Sequence, residues 1–227
     1  MGHGYRIPRA FIDRFEWGEL VGSGAYSYVQ KAVDRRTGTR VAIKCIRKDP
    51  LDQELCDQIE TEVALQSEVC KHENIVSVLE FVNTPSMYFI VMELLDGDLL
   101  RNIVTETRAG RYSERQAAET VRGLAAALAA CHERGIAHLD IKPDNVLFDA
   151  HGTLKLADFG MAAKVPVYRD VGTPLFVAPE ILLEGQCDTK ADIFSLGVVA
   201  YILLCGFAPW VEARTLDDLS SAIKNCK

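Results

Sequence analysis

The stretch His138-Leu139-Asp140-Ile141-Lys142-Pro143-Asp144-Asn145, followed downstream by Asp158-Phe159-Gly160, decides how this chain is read. It supplies carboxylates, a lysine and an amide at short, fixed spacing. Moving a phosphoryl group needs hard oxygen donors for Mg²⁺, a carboxylate to orient the attacking hydroxyl, and a cation to spread negative charge. Asp158 and Asn145 are the candidate oxygen donors, Asp140 the candidate orienting base and Lys142 the candidate cation.

Four further segments, in chain order around that stretch, resemble those of eukaryotic protein kinases. Val21-Gly22-Ser23-Gly24-Ala25-Tyr26-Ser27-Tyr28-Val29 looks like the glycine-rich loop, with Ser27 in place of the third glycine. Val41-Ala42-Ile43-Lys44 looks like the strand that carries a phosphate-binding lysine. Glu62 stands where that lysine's partner is expected, with Glu60 as its competitor in the same helix. Ala178-Pro179-Glu180 closes what would be the activation segment. A glycine-rich loop alone would equally suit a plain β-hairpin, but six elements in one order do not arise that way.

The resemblance implies a bilobal α+β fold, with a five-stranded β N-lobe carrying one major helix and a mainly helical C-lobe lacking its last helices. Residues 1–14 are read as an N-terminal extension, 15–94 as the N-lobe and 95–227 as an incomplete C-lobe. The family continues with further helices, including an arginine that pairs with the Ala-Pro-Glu glutamate, so the chain reads as a fragment. Glu180 would then be a buried anion without its partner.

The pattern of apolar residues fits this outline. Residues 15–48 alternate polar and apolar around glycine turns, the signature of three antiparallel strands. Residues 52–70 place Leu55, Ile59, Val63 and either Leu65 or Gln66 at helical spacing. Strands are expected near 75–82, 88–94, 146–148 and 154–157. Ser113 with Gln116 reads as a capping box opening an alanine-rich helix. A buried helix is expected over 192–204 and another over 216–224. Interruption of the apolar run 193–210 by Ser195, Gly197, Gly206 and Pro209 argues against a membrane span.

As carried over from the resemblance, ATP and Mg²⁺ are the expected cofactors. Gly22 and Gly24 would let backbone approach the phosphates, because a Cβ there would collide and positive φ costs glycine least. Val21, Val29, Ala42 and Leu147 would wall the adenine, Met92 would guard the back of its pocket, and Glu93 to Leu95 would form the hinge. Asp98 would take the ribose hydroxyls or a substrate arginine. A hydrophobic column is expected through Leu79, Phe159 and His138, anchored by Asp192, with the polar Gln66 as an oddity.

Lys142 and Gly172-Thr173 match serine/threonine rather than tyrosine kinases, so the expected partner is a protein with a Ser or Thr acceptor. Asp98 and Asp144 resemble positions that face a basic residue upstream of the acceptor in arginine-directed kinases, and Ile202 stands where some of those kinases add a further acid. Leu139 replaces the usual arginine, which pairs with a phosphate on the activation segment; leucine cannot make that bond. Thr173 is expected to bond near Asp140. His-Leu-Asp is similar to the calcium/calmodulin-dependent group, especially its death-associated and myosin-light-chain branches. Control by calmodulin or another regulator would need a segment beyond this chain.

Composition narrows the alternatives. With 227 residues, 48% hydrophobic, the chain can bury a full core. A net charge of −7 disfavours a general nucleic-acid binder. Seven cysteines lie singly, without ligand spacing, which reads as reduced thiols in a cytoplasmic or nuclear protein. A kinase-fold scaffold without turnover is the alternative reading, motivated by Ser27, Leu139 and Gln66. A small-molecule phosphotransferase is disfavoured by the Ala-Pro-Glu segment.

Overall fold

Polar/apolar alternation in the first quarter of the chain folds into β1 (Phe15–Ser23), β2 (Ser27–Asp34) and β3 (Arg40–Arg47). The computed structural model describes residues 9–99, 102–103, 110–168, 172–213 and 215–224. Residues 1–8 of the expected extension, and Cys226, lie outside them. The chain divides into two compact units, Met1–Cys70 with Val76–Leu95, and Lys71–Ile75 with Asp96–Lys227.

In the first unit β4 (Val78–Asn83) and β5 (Met87–Glu93) complete an antiparallel sheet of order β1-β2-β3-β5-β4. Side chains alternate across a strand, so β3 sends Val41, Ile43 and Cys45 to one face and Ala42, Lys44 and Ile46 to the other. The first face packs with Phe15, Phe89 and Val91. The second packs Ile46, Tyr88 and Ile90 against Val63 of α2 (Gln53–Val69).

The extension is not separate from the fold. A short helix, α1 (Arg9–Arg14), buries Phe11 with its ring 5.1 Å from Phe15 and 4.7 Å from Phe89. Arg14 pairs with Asp34 at 2.6 Å and also with Glu80. Six residues are too few to show a helical period, so only the structure reveals this segment as part of the core.

Helix α2 starts at an N-cap, where Asp52 accepts from Leu55 N at 2.9 Å. Leu55 itself is exposed, contrary to the sequence pattern; Val63, Leu65, Gln66 and Val69 are the buried positions. Gln66 is tolerated there because its amide donates to Val76 O at 3.0 Å. The strand expected from residue 75 begins only at Val78, and Ile75 bridges to Leu156 in the second unit's own fold. A register shift between Val78 and Glu80 turns Leu79 outward, 53% exposed, which removes it from the expected column.

The second unit opens with β6 (Gly97–Asp98) and then α3 (Glu114–His132). Both halves of the Ser113/Gln116 capping box are present. Strand β7 (Ile136–Ala137) is followed by β8 (Val146–Phe148) and β9 (Leu154–Leu156), and β6-β8-β9 form a small sheet. Strand β10 (Ala163–Lys164) pairs with β7, and β11 (Val167–Tyr168) with β12 (Gln186–Cys187). Helices α4 (Pro179–Glu184), α5 (Thr189–Cys205) and α6 (Leu216–Lys224) complete the unit.

Helix α5 begins three residues before the expected start, because Asp188 caps it by accepting from Lys190 N at 2.6 Å. It is buried on one side only: Asp192, Ser195, Val199 and Leu203 face inward, while Ile193, Tyr201 and Leu204 are exposed. Among the described residues no helix is long and apolar enough to cross a membrane.

Candidate active site

Lys44 follows the buried Ile43, so strand alternation turns it to the α2 face. There its Nζ meets Glu62 Oε1 at 3.0 Å, both side chains largely withdrawn from solvent. Glu60 is otherwise engaged, accepting from Tyr88 Oη and Asn83 Nδ2 at 2.9 Å each. Residues directly opposite in antiparallel strands share a face. Gly22 faces Val29, Val29 faces Lys44, and Ala42 faces Met92, so these candidates gather on the lysine's side of the sheet. Val21 is exposed at an irregular step of β1. At the end of β5, Glu93 Oε1 accepts from Ser77 N at 2.7 Å, pinning the start of the expected hinge; Leu95 is half-buried.

Positive φ is not what selects glycine in this loop. Neither Gly22 nor Gly24 has positive φ, and a Cβ at Gly22 would meet open space. At Gly24 it would only touch Ser27 Oγ at 3.4 Å. The protein's own packing therefore does not demand glycine at either position.

In the second unit the catalytic stretch hangs from one acid. Asp192, fully buried on α5, accepts from His138 N at 2.9 Å, Leu139 N at 2.8 Å and His132 Nε2 at 2.8 Å. This anchors a backbone in which Leu139 adopts a left-handed φ of 64°, a conformation costly for a non-glycine residue. The sequence identified Asp192 as an anchor but gave no sign that His132 shares it.

Past Leu139 the chain delivers Asp140 into a set of donors. Its Oδ2 accepts from Lys142 Nζ at 2.7 Å and Asn145 Nδ2 at 2.9 Å, and its Oδ1 accepts from Thr173 Oγ1 at 2.7 Å. Lys142 also reaches Thr173 Oγ1 at 3.0 Å, so the unmodified threonine is held where the sequence placed it. Burial pushes the Asp140 carboxyl up, but Lys142 and Thr173 outweigh it and hold the group below the usual carboxylate range.

Asn145 ends its short 3₁₀ turn with Nδ2 committed to Asp140 O at 2.8 Å as well as to Oδ2. Its Oδ1 has no hydrogen-bond partner among the described residues. Ala157 N donates to Asn145 O at 2.9 Å, which sets Asp158 in the adjoining loop. Asp158 has φ 61°, is exposed, and accepts only a long 3.4 Å bond from Gly160 N. A spare amide oxygen and an exposed carboxylate on neighbouring backbone are the donor set a Mg²⁺ ion prefers. His138 supports this loop, its ring 4.8 Å from Phe159 and its Nε2 3.1 Å from Ala157 O.

Asp98 and Leu147 are cross-strand partners in the β6–β8 ladder. Asp144 is exposed and Ile202 half-buried. Leu139 packs with Val177, Ala178 and Ile181, with Val165 and Val167 alongside, so the residue that replaces arginine holds the activation segment by apolar contact. Glu180 is half-buried rather than enclosed.

A lysine–glutamate pair on a five-stranded sheet, with an Asp-Lys-Asn loop hung from a buried aspartate, belongs to the protein kinase domain family; that family matches residues 15–227, and this chain is a member. The serine/threonine-protein kinase DCLK1 of Rattus norvegicus is 38% identical over 213 residues, covering 91% of this chain and 48% of the relative. DCLK2 of Mus musculus is 38% identical over 227 residues, covering 95% of this chain and 29% of the relative. CBL-interacting protein kinase 16 of Oryza sativa subsp. japonica is 38% identical over 209 residues, covering 88% and 45%. The chain thus spans about half, or less, of the length of these curated relatives.

Proposed function

We propose that this chain transfers the γ-phosphoryl group of ATP to Ser or Thr hydroxyls of protein substrates, with a preference for acceptors near basic residues. The observation that carries the reading is the Asp140 carboxylate, ionised and shared among Lys142, Asn145 and Thr173. Asp140 orients the acceptor hydroxyl and takes its proton as the new P–O bond forms and the bond to ADP breaks. Lys142 sits beside Asp140 to offset charge on the transferring group. Lys44, held by Glu62, binds donor phosphate, and the glycines at 22 and 24 leave room for it. Mg²⁺, when bound, neutralises phosphate charge, and Asn145 and Asp158 would hold it. Val21, Val29, Ala42, Met92, Leu147 and the backbone of 93–95 would receive adenine.

The names of the relatives, serine/threonine-protein kinases, support the acceptor class. Asp98 and Asp144 support the basic preference. The test is Mg²⁺-dependent transfer from ATP to a basic Ser/Thr peptide, with Asp158→Ala alongside. Transfer in the unaltered chain and background in the variant are expected. Background in both, with ATP still bound, would assign the chain to nucleotide-binding scaffolds.

A further inference from the structure

Two acids leave the middle of α2 in nearly opposite directions, and only Glu62 has a part in the proposed transfer. Glu60 and Glu62 stand about 160° apart round the helix. Glu62 holds Lys44 at 3.0 Å. Glu60 Oε1 accepts from Tyr88 Oη and from Asn83 Nδ2, each at 2.9 Å. A rotation of α2 that drew one acid inward would carry the other away, so the two sets of bonds together hold the helix against turning.

The apolar contacts of α2 do not do this by themselves. Val63 packs with Ile46, Tyr88 and Ile90, but burial of apolar surface is non-directional and tolerates sliding and turning. Gln66 Nε2, bonded to Val76 O at 3.0 Å, fastens the C-terminal end of the helix. The turn that carries Glu62 is fastened through Glu60.

Tyr88 is a rigid receiver for that acid. It stands opposite Ile46 in the β3–β5 ladder, two residues on from Lys44 on the same face and about 7 Å along the strand. Tyr88 is only 1% exposed, and Phe81 stacks on it with ring centroids 5.6 Å apart. Burial, with Cys56 and Glu60 alongside, pushes its phenol up, so the hydroxyl stays a donor at neutral pH.

Asn83 is oriented in turn by Lys48, whose Nζ donates to Asn83 Oδ1 and lies 3.9 Å from the Tyr88 ring centroid. With Oδ1 so engaged, Asn83 presents its Nδ2 to Glu60. The network joins α2 to the end of β4, to β5 and to the β3–α2 connection, all within the first unit.

We propose that Glu60 is a positioning residue: through Tyr88 and Asn83 it sets the rotation of α2, and thereby the meeting of Glu62 with Lys44. Its effect on turnover rests on the phosphoryl transfer proposed for this chain, whereas its effect on the ion pair does not. The Lys44 amine reports the pair, because an ammonium held on a carboxylate is acylated slowly. The test is acetylation of the full chain with N-acetoxysuccinimide, followed at Lys44 by peptide mass spectrometry, with Lys31 on β2 as the control for general loosening. Acetylation of Lys44 is expected to be about five- to tenfold faster in Glu60→Ala and in Tyr88→Phe/Asn83→Ala, and unchanged in Glu60→Gln, whose amide oxygen still accepts. In Glu62→Gln the amine is already fast, and adding Glu60→Ala changes nothing further. Transfer from ATP should fall by a similar factor in Glu60→Ala, and in the double variant no further than in Glu62→Gln. Unchanged labelling in Glu60→Ala, fast labelling in Glu60→Gln, faster labelling of Lys31 together with Lys44, or additive effects in the Glu62→Gln background would overturn the proposal. The expected labelling pattern in a chain without transfer would support the placement and overturn the phosphoryl-transfer reading alone.

Discussion

Asp140 shows how a single carboxylate can be both buried and charged. Three side chains donate to it, and their combined effect exceeds the cost of desolvation. Because its folded-state pKa is depressed, its contribution to stability is fully present above the unfolded value and is lost as pH falls through the folded one. The stability difference between the unaltered chain and Asp140→Asn should therefore be constant above about pH 5 and shrink as pH drops below about 4. Denaturant titrations across that range check this; a difference that grew on acidification would contradict it. At neutral pH the base is already ionised, so its titration does not set the acid limb of the rate profile there.

At the scale of elements, Leu139 and α1 carry the clearest consequences. Leu139 joins the catalytic stretch to the activation segment through Val177, Ala178 and Ile181, and β11 is fixed by its ladder to β12. Transfer is therefore expected to be independent of phosphorylation in this segment. Tyr168, 72% exposed, can be changed to Phe with no loss of transfer rate; strict dependence on its phosphorylation would contradict the account. Leu139→Ala should cost about 2–4 kcal/mol in denaturant unfolding. Phe11→Ala should cost about 3 kcal/mol in the same measurement, because α1 is core rather than tail. A cost below about 0.5 kcal/mol would return residues 9–14 to the status of an appendage.

These elements also mark what the sequence made legible. Lys44 and Glu62 were legible through the resemblance of Val41-Ala42-Ile43-Lys44 to the lysine strand and through the family order of Ile59, Glu62 and Val63, which favoured Glu62 over Glu60. The Asp140, Lys142, Asn145 and Thr173 group was readable from motif order. Phe11 and Arg14 were not, since their helix is shorter than any periodic signal and its partners lie on β1, β2, β4 and β5. Leu79 was misassigned because a bulge, invisible in an apolar pattern, reverses its side. Gln66 looked anomalous until its bond to the Val76 carbonyl was seen, and such pairing depends on tertiary contacts.

At the scale of the molecule, the chemistry divides between two units that each build their part from internal contacts. The first holds Lys44 against Glu62 on its own sheet and helix. The second assembles Asp140, Asn145 and Asp158 around the Asp192 anchor. Lys44→Ala should therefore weaken transfer while leaving the second unit's structure intact, as methyl resonances of Leu139 and Val177 would report. Collapse of those resonances would contradict the independence of the two sets.

Asp140 is the group proposed to take the acceptor's proton. Single-turnover transfer from saturating Mg·ATP to a basic Ser/Thr peptide, compared between the unaltered chain and Asp140→Asn, measures that role. The predicted result is a rate lower by about 10²–10⁴ with ATP affinity unchanged. An Asp140→Asn chain that transfers phosphoryl as fast as the unaltered one would contradict it.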